Sequence, residues 1–163
     1  MSLTSADNAF MRDLCISVVP PEQIRNSDVG DWFKPVYGVR AIYVSDFRDY
    51  LRRARPYLTE AQVVYRSECY ALLIGTHELT ELHLCIRDGV TQEAVDNWDA
   101  QCDDEDPGLN PAAPYHKQHV AALAVEQILA RELGVDWEEY NDDIVGLTTE
   151  SDAKEAQDHA ILK

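Results

Sequence analysis

The run Leu72-Leu73-Ile74-Gly75-Thr76-His77-Glu78-Leu79-Thr80-Glu81 sets a histidine and two carboxylates inside an otherwise apolar, helix-like segment. A fold that buries this segment must pair those groups or hold a metal with them, because burial without a partner is costly. His77 and Glu81 are four residues apart, so on a helix they project from one face. Glu78 lies beside them. Two ligands one turn apart, with a neighbouring carboxylate able to act as general base, form the layout of a hydrolytic metal site. The motif reads H-E-x-x-E, with Glu81 where the common H-E-x-x-H pattern has its second histidine.

The helix carrying this motif has legible ends. Thr59-Glu60-Ala61-Gln62 forms a capping box, and the helix is expected to run to Asp88 and stop at Gly89. With His77 at zero on the wheel, Glu81 falls about 40° and Asp88 about 20° away, on the side of Tyr70, Leu73, Ile74 and Leu84. Leu72, Leu79, Leu82 and Ile86 cover the opposite side. A helix apolar around most of its girth is expected to be largely buried. His83 points about 120° from His77, toward a surface or edge. Cys85 lies about 80° from His77 and is expected to be a buried thiol.

A later helix repeats the pattern. Pro114 suits its first turn, and it is expected to run to Leu133 and stop at Gly134. His119 and Glu126 are seven apart and share a face with Leu123, Ala130 and Leu133, with His116 one turn earlier. Two helices each offering a histidine and a glutamate inward match the way bundle cores assemble metal sites. His119 is the candidate third ligand, and Glu126 a fourth ligand or an outer partner. Thr91 caps a short helix reaching through Trp98 to about Cys102. On it, Asp96 and Asp99 form D-x-x-D, and with Glu78 and Glu81 they supply the oxygen donors Mg²⁺ prefers. Asp99 is therefore a further candidate ligand. The acidic loop Asp103 to Asp106 is expected to be solvated, since it lacks the order of an EF-hand.

Elsewhere, residues 1–12 read as a polar lead-in. Cys15 to Val19 and Val39 to Val44 read as strands that pair in a small antiparallel sheet. Residues 22–38 read as irregular, anchored by Trp32 and Phe33. Phe47 to Arg55 gives one or two helical turns, and Asp136 to Val145 docks through Trp137, Tyr140 and Ile144. The fold class is α+β: a small N-terminal antiparallel sheet followed by a bundle of about three helices. Residues 1–147 form one domain, and 148–163 a polar, flexible tail.

The formal charge of −16 excludes nucleic-acid binding through phosphates and disfavours anionic membranes. Cys15, Cys69, Cys85 and Cys102 form no C-x-x-C, so they read as reduced thiols of a cytoplasmic protein. No signal peptide and no bilayer-spanning run is visible.

Three pieces taken together carry a resemblance: Val29-Gly30-Asp31-Trp32 with the Ile42-Tyr43-Val44-Ser45 strand, the His77 to Glu81 motif, and Pro114-Tyr115-His116-Lys117-Gln118-His119. Over residues 14–140 they resemble a group of small bacterial and phage proteins that has no assigned activity. That resemblance implies a bacterial cytoplasm, or a host cytoplasm for a phage protein. More distantly, a strand followed by an H-E helix resembles the minimal zinc-peptidase, or zincin, arrangement. That implies His77 as a zinc ligand, Glu78 as the base and Glu81 in place of a histidine ligand. The E-x-x-E and D-x-x-D doublets resemble the all-α nucleotide pyrophosphohydrolases of the MazG type, which implies Mg²⁺ held by Glu78, Glu81, Asp96 and Asp99.

Three functions follow as expectations. One is a metal-dependent hydrolase, with a divalent ion such as Zn²⁺ on His77, Glu81 and His119 and a small-molecule or peptide substrate. Another is a Mg²⁺-dependent nucleotide pyrophosphohydrolase. The third is a non-catalytic acidic accessory protein whose buried His–Glu network only fixes the fold. The apolar circumference of the helices leaves room for a homodimer.

Overall fold

The computed structural model describes residues 14–24, 29–33, 40–104 and 106–161. The expected lead-in at 1–12 lies outside them. The chain is α+β: among the described residues, a three-stranded N-terminal sheet is followed by five α-helices. The strands are β1 (Leu14–Val19), β2 (Gly30–Phe33) and β3 (Arg40–Ser45). The helices are α1 (Arg48–Ala54), α2 (Glu60–Asp88), α3 (Gln92–Asp99), α4 (His116–Leu133) and α5 (Trp137–Ile161). Among the described residues no helix is long and apolar enough to cross a membrane.

The sheet corrects one expectation. β1 and β3 pair in parallel, with Ile16 opposite Ile42, and the antiparallel partner of β3 is β2, with Trp32 also opposite Ile42. The order is β1-β3-β2, so the chain crosses to the far edge before β3 returns between its neighbours. Part of the stretch read as irregular is thus an edge strand. On the central strand Ile42, Val44 and Ser45 are fully buried.

Gly30 lets this sheet lie directly on α2. A Cβ there would fall 2.5 Å from Ile74 Cγ2 and 2.8 Å from Glu78 Oε1, closer than atoms pack. Two residues on, Trp32 reaches the same helix. Phe47 and Leu51 share one buried core with Val63, Tyr70, Leu73 and Ile74 of α2 and with Tyr140 and Leu147 of α5, and the Phe47 and Tyr70 rings meet edge-on.

The helix ends follow the caps. Thr59 accepts from the Gln62 amide and Gln62 Oε1 accepts from the Thr59 amide at 2.9 Å, a complete capping box that contributes about 1 kcal/mol. α2 stops at Gly89 and α4 at Gly134, both in the left-handed region. α4 starts at His116, two residues later than expected, because Pro114 and Tyr115 form a turn first. α5 runs on to Ile161, so the segment expected as a tail from Thr148 is helical.

α2 and α4 lie side by side in opposite senses. His77 meets Glu126, Glu81 meets His119, and Asp88 meets Gln118, so one numbering rises as the other falls. The outer side of α2 departs from the expected burial. Leu72 is 51% exposed, Ile86 43% and Tyr65 58%.

Candidate metal centre

His77 and Glu81 project from α2 and His119 from the first turns of α4. His77 and Glu81 are buried, and His119 keeps 12% of its side chain exposed. Three atoms converge. His77 Nε2 lies 3.2 Å from His119 Nδ1, His119 Nδ1 lies 2.9 Å from Glu81 Oε2, and His77 Nε2 lies 3.6 Å from Glu81 Oε2. These three residues form the group suited to holding an ion among the described residues. Donors about 2.0–2.1 Å from a tetrahedral zinc stand roughly 3.3 Å apart. The triangle has that size.

The outward-facing ring nitrogens decide its chemistry. His77 Nδ1 lies 2.8 Å from Glu126 Oε2, and His119 Nε2 lies 3.2 Å from Asp106. An ionised carboxylate only accepts, so a ring that donates to Glu126 or to Asp106 carries a proton on that outer nitrogen. In a neutral ring the other nitrogen then bears a lone pair. With both rings neutral and donating outward, His77 Nε2, His119 Nδ1 and Glu81 Oε2 are three acceptors pointed at one another. Either added protons or a cation must answer them.

Without a cation, protons do so. Burial alone would lower the pKa of His77, but hydrogen bonds to Glu126 and Glu81 and the charges of Glu78 and Glu126 carry it up to about 11. For His119, burial is likewise outweighed by Asp106 and Glu81, and its pKa rises to about 9. Burial would raise Glu81, yet His119, His77 and Trp32 bring it down to about 2.

Outer groups fix these three side chains. Trp32 Nε1 donates to Glu81 Oε1 at 3.1 Å, leaving Oε2 for the centre. The Tyr140 hydroxyl donates to Glu126 Oε1, and so holds the carboxylate that orients His77. Asp106 accepts from the Gly108 amide at 3.1 Å, which holds its 3-10 turn (Pro107–Leu109) against His119. Gly108 is needed there, since a Cβ would collide with the His119 ring. His116 Nδ1 lies 2.9 Å from the Gly108 carbonyl and fastens the same turn from α4. Such carboxylate-backed imidazoles are the usual support of metal-binding histidines.

Of the residues singled out from sequence, His77, Glu81 and His119 form the central triangle. Glu126 stands behind His77, outside the triangle. Asp99 accepts from the Tyr115 hydroxyl at 2.6 Å, so that oxygen is committed elsewhere. Burial first, then the charges of Glu81 and Asp96, raise its pKa, so it feels the centre electrostatically. Glu78 is partly buried over Gly30 of β2, and its charge acts on His77. Cys85 is fully buried, and burial beside Glu81, Asp88 and Glu78 pushes its thiol up to about 12, so it stays protonated.

Asp106 overturns the reading of the acidic loop as merely solvated. Its one signal in sequence was its place before Pro107-Gly108, where an aspartate caps a tight turn. Trp32 and Tyr140 gave no signal beyond being aromatic. No protein-family model, curated protein or solved structure matches this chain.

Proposed function

We propose that the protein binds one divalent transition-metal ion, zinc by its donor set, through His77 Nε2, His119 Nδ1 and Glu81 Oε2, and uses it for hydrolysis. The observation that carries this reading is the convergence of three acceptors whose outer partners have already committed the other ring nitrogens. Two imidazoles and a glutamate are a zinc-hydrolase donor set, and three protein ligands leave a position for water. The imidazole donors disfavour Mg²⁺, which takes oxygen.

Zinc, when bound, lowers the pKa of its water and polarises a carbonyl or phosphoryl oxygen. The chain's own residues do the rest. Glu126 and Asp106 hold the imidazoles in the ligating tautomer. Trp32 turns one Glu81 oxygen away from the ion. Glu78 is the general base, beside His77 in sequence and near it in charge. Access is from the Asp106 side, where the carboxylate is 42% exposed and His119 meets solvent.

Elemental analysis of protein purified from metal-replete cells tests this. One equivalent of zinc is expected in wild type, and less than about a tenth in His77→Ala, Glu81→Ala or His119→Ala. Glu78→Gln should keep the metal and lose turnover on a panel of ester, amide and phosphoester substrates. Wild type without stoichiometric metal would overturn the metal centre. Full turnover by Glu78→Gln would remove the assigned base.

A further inference from the structure

We propose that the protein is a two-fold symmetric dimer in which the outer face of α2 packs antiparallel on the same face of a second copy. The face is a stripe at seven-residue spacing: Tyr65, Leu72, Leu79 and Ile86. It is about 32 Å long at 1.5 Å per residue. Tyr65, Leu72 and Ile86 are among the exposed large hydrophobics, and Leu79 is partly covered. A seven-residue apolar repeat on one helix is the pattern that a second helix covers.

The stripe reads nearly the same in both directions about a point between Gly75 and Thr76. An antiparallel copy centred there sets Tyr65 against Ile86 of the partner subunit and Leu72 against Leu79 of the partner subunit. It also sets Glu68 against His83 of the partner subunit. Glu68 is the acid on this stripe, and the self-pairing gives it a base to meet. That matters in a chain of net charge −16, where two copies repel unless their contact is neutral or complementary.

The crossing point suits close approach. Thr76 Oγ1 donates to the Leu72 carbonyl at 2.7 Å, and Thr80 Oγ1 to the Thr76 carbonyl at 2.7 Å. Both hydroxyls are satisfied within their own helix, so the contact leaves neither of them unmet. A second group of exposed apolar residues, Val120, Val125 and Ile128 on α4, lacks this property. Its residues fall on no single stripe, and pairing Val120 with Ile128 of a second copy would set Lys117 against Arg131. The dimer face lies on the side of α2 away from His77 and Glu81, so this inference stands apart from the metal centre.

Sedimentation equilibrium of the full chain over about 1–100 µM should give twice the 18.5 kDa of one chain. Leu72→Lys, at an exposed position, should give 18.5 kDa at every concentration with helicity unchanged. Glu68→Lys should weaken the dimer at least about tenfold, and Glu68→Lys with His83→Glu should restore it. Three results overturn the proposal: a wild type that stays monomeric, a Leu72→Lys variant that stays dimeric, or a charge exchange that fails to restore association.

Discussion

Two buried polar clusters lie within one core, and they are balanced differently. At Asp143, fully buried on α5, one oxygen accepts from the Tyr70 hydroxyl at 2.9 Å and the other from Arg55 Nε at 3.0 Å. Each acceptor meets a donor, and the cation is a fixed part of the protein. At Glu81 one oxygen meets Trp32, but the other meets two imidazole nitrogens, each on a ring whose far nitrogen faces a second carboxylate. Asp143 is complete with its own side chains. The Glu81 cluster takes its positive charge from protons on His77 and His119, and those protons can leave. Burial of a carboxylate therefore does not distinguish a structural group from a ligand site. The count of donors against acceptors does.

The largest test of this contrast is Asp143→Ala. It strips the Tyr70 hydroxyl and the Arg55 guanidinium of their shared partner. Removing one member of a buried pair costs about 3–5 kcal/mol. Arg55 keeps Glu139 at 3.7 Å and is 24% exposed, so the lower end applies, about 3 kcal/mol in urea unfolding. Zinc stoichiometry should not change. A large loss of metal on Asp143→Ala would break the separation of the two clusters.

The next effect falls on the other side. Glu126→Gln and Asp106→Asn each remove the charge that orients one imidazole. Loss of such an outer partner weakens metal binding roughly 10- to 100-fold. Competition titration against a chromophoric chelator reads this directly. Both variants should fold, because the amide oxygen still accepts the ring N–H. An unchanged zinc affinity in both would mean that the outer carboxylates only fill space.

The contrast also has a pH signature. In the metal-free protein His119 and His77 have pKa values raised to about 9 and about 11. A group whose pKa rises on folding stabilises fully below its unfolded value, about 6.5 for histidine. That stabilisation is lost as pH climbs through the folded values. With chelator present, Tm should therefore fall from about pH 6.5 to 9 and beyond. Glu81 acts in the opposite sense, since its pKa is held near 2. Its contribution is present above about 4.5 and lost as pH falls toward 2. With zinc, the gain in Tm over the chelated protein should widen between about pH 6.5 and 9, as the competing protons leave. A gain that does not change across that range would count against these nitrogens as ligands.

What sequence could show of this followed from local rules. His77 and Glu81 are one helical turn apart, so their common face was readable from spacing. The ends of α2 were readable from Thr59, Gln62 and Gly89, because caps are local chemistry. The parallel pairing of β1 with β3 was not, since alternation marks a strand and says nothing of its neighbour's direction. Trp32 was missed as a donor because its role depends on β2 crossing α2 at Gly30. Asp106 sat in an acidic run whose members look alike until one meets His119. The expected burial of Leu72 and Ile86 failed because an apolar wheel shows that a face wants covering and does not say by what.

The smallest effect probes the seam between the clusters. Tyr140 donates to Glu126 at the metal side, and its ring lies edge-on to Tyr70, centroids 4.8 Å apart, on the Asp143 side. Tyr140→Phe keeps that ring contact and removes only the hydroxyl. It should cost about 1 kcal/mol of stability and weaken zinc only a few-fold, because Glu126 still receives the His77 proton. Tyr70→Phe should cost a similar amount and leave zinc affinity unchanged. Since both substitutions keep the rings, a double-mutant cycle isolates the hydroxyls. If the two hydroxyls serve separate networks, the coupling stays below about 0.5 kcal/mol. A coupling well above that would mean the proton on Tyr140 and the proton on Tyr70 are shared across one continuous network. The distinction between the two clusters would then have to be drawn around Glu81, Glu126, Tyr140, Tyr70 and Asp143 together.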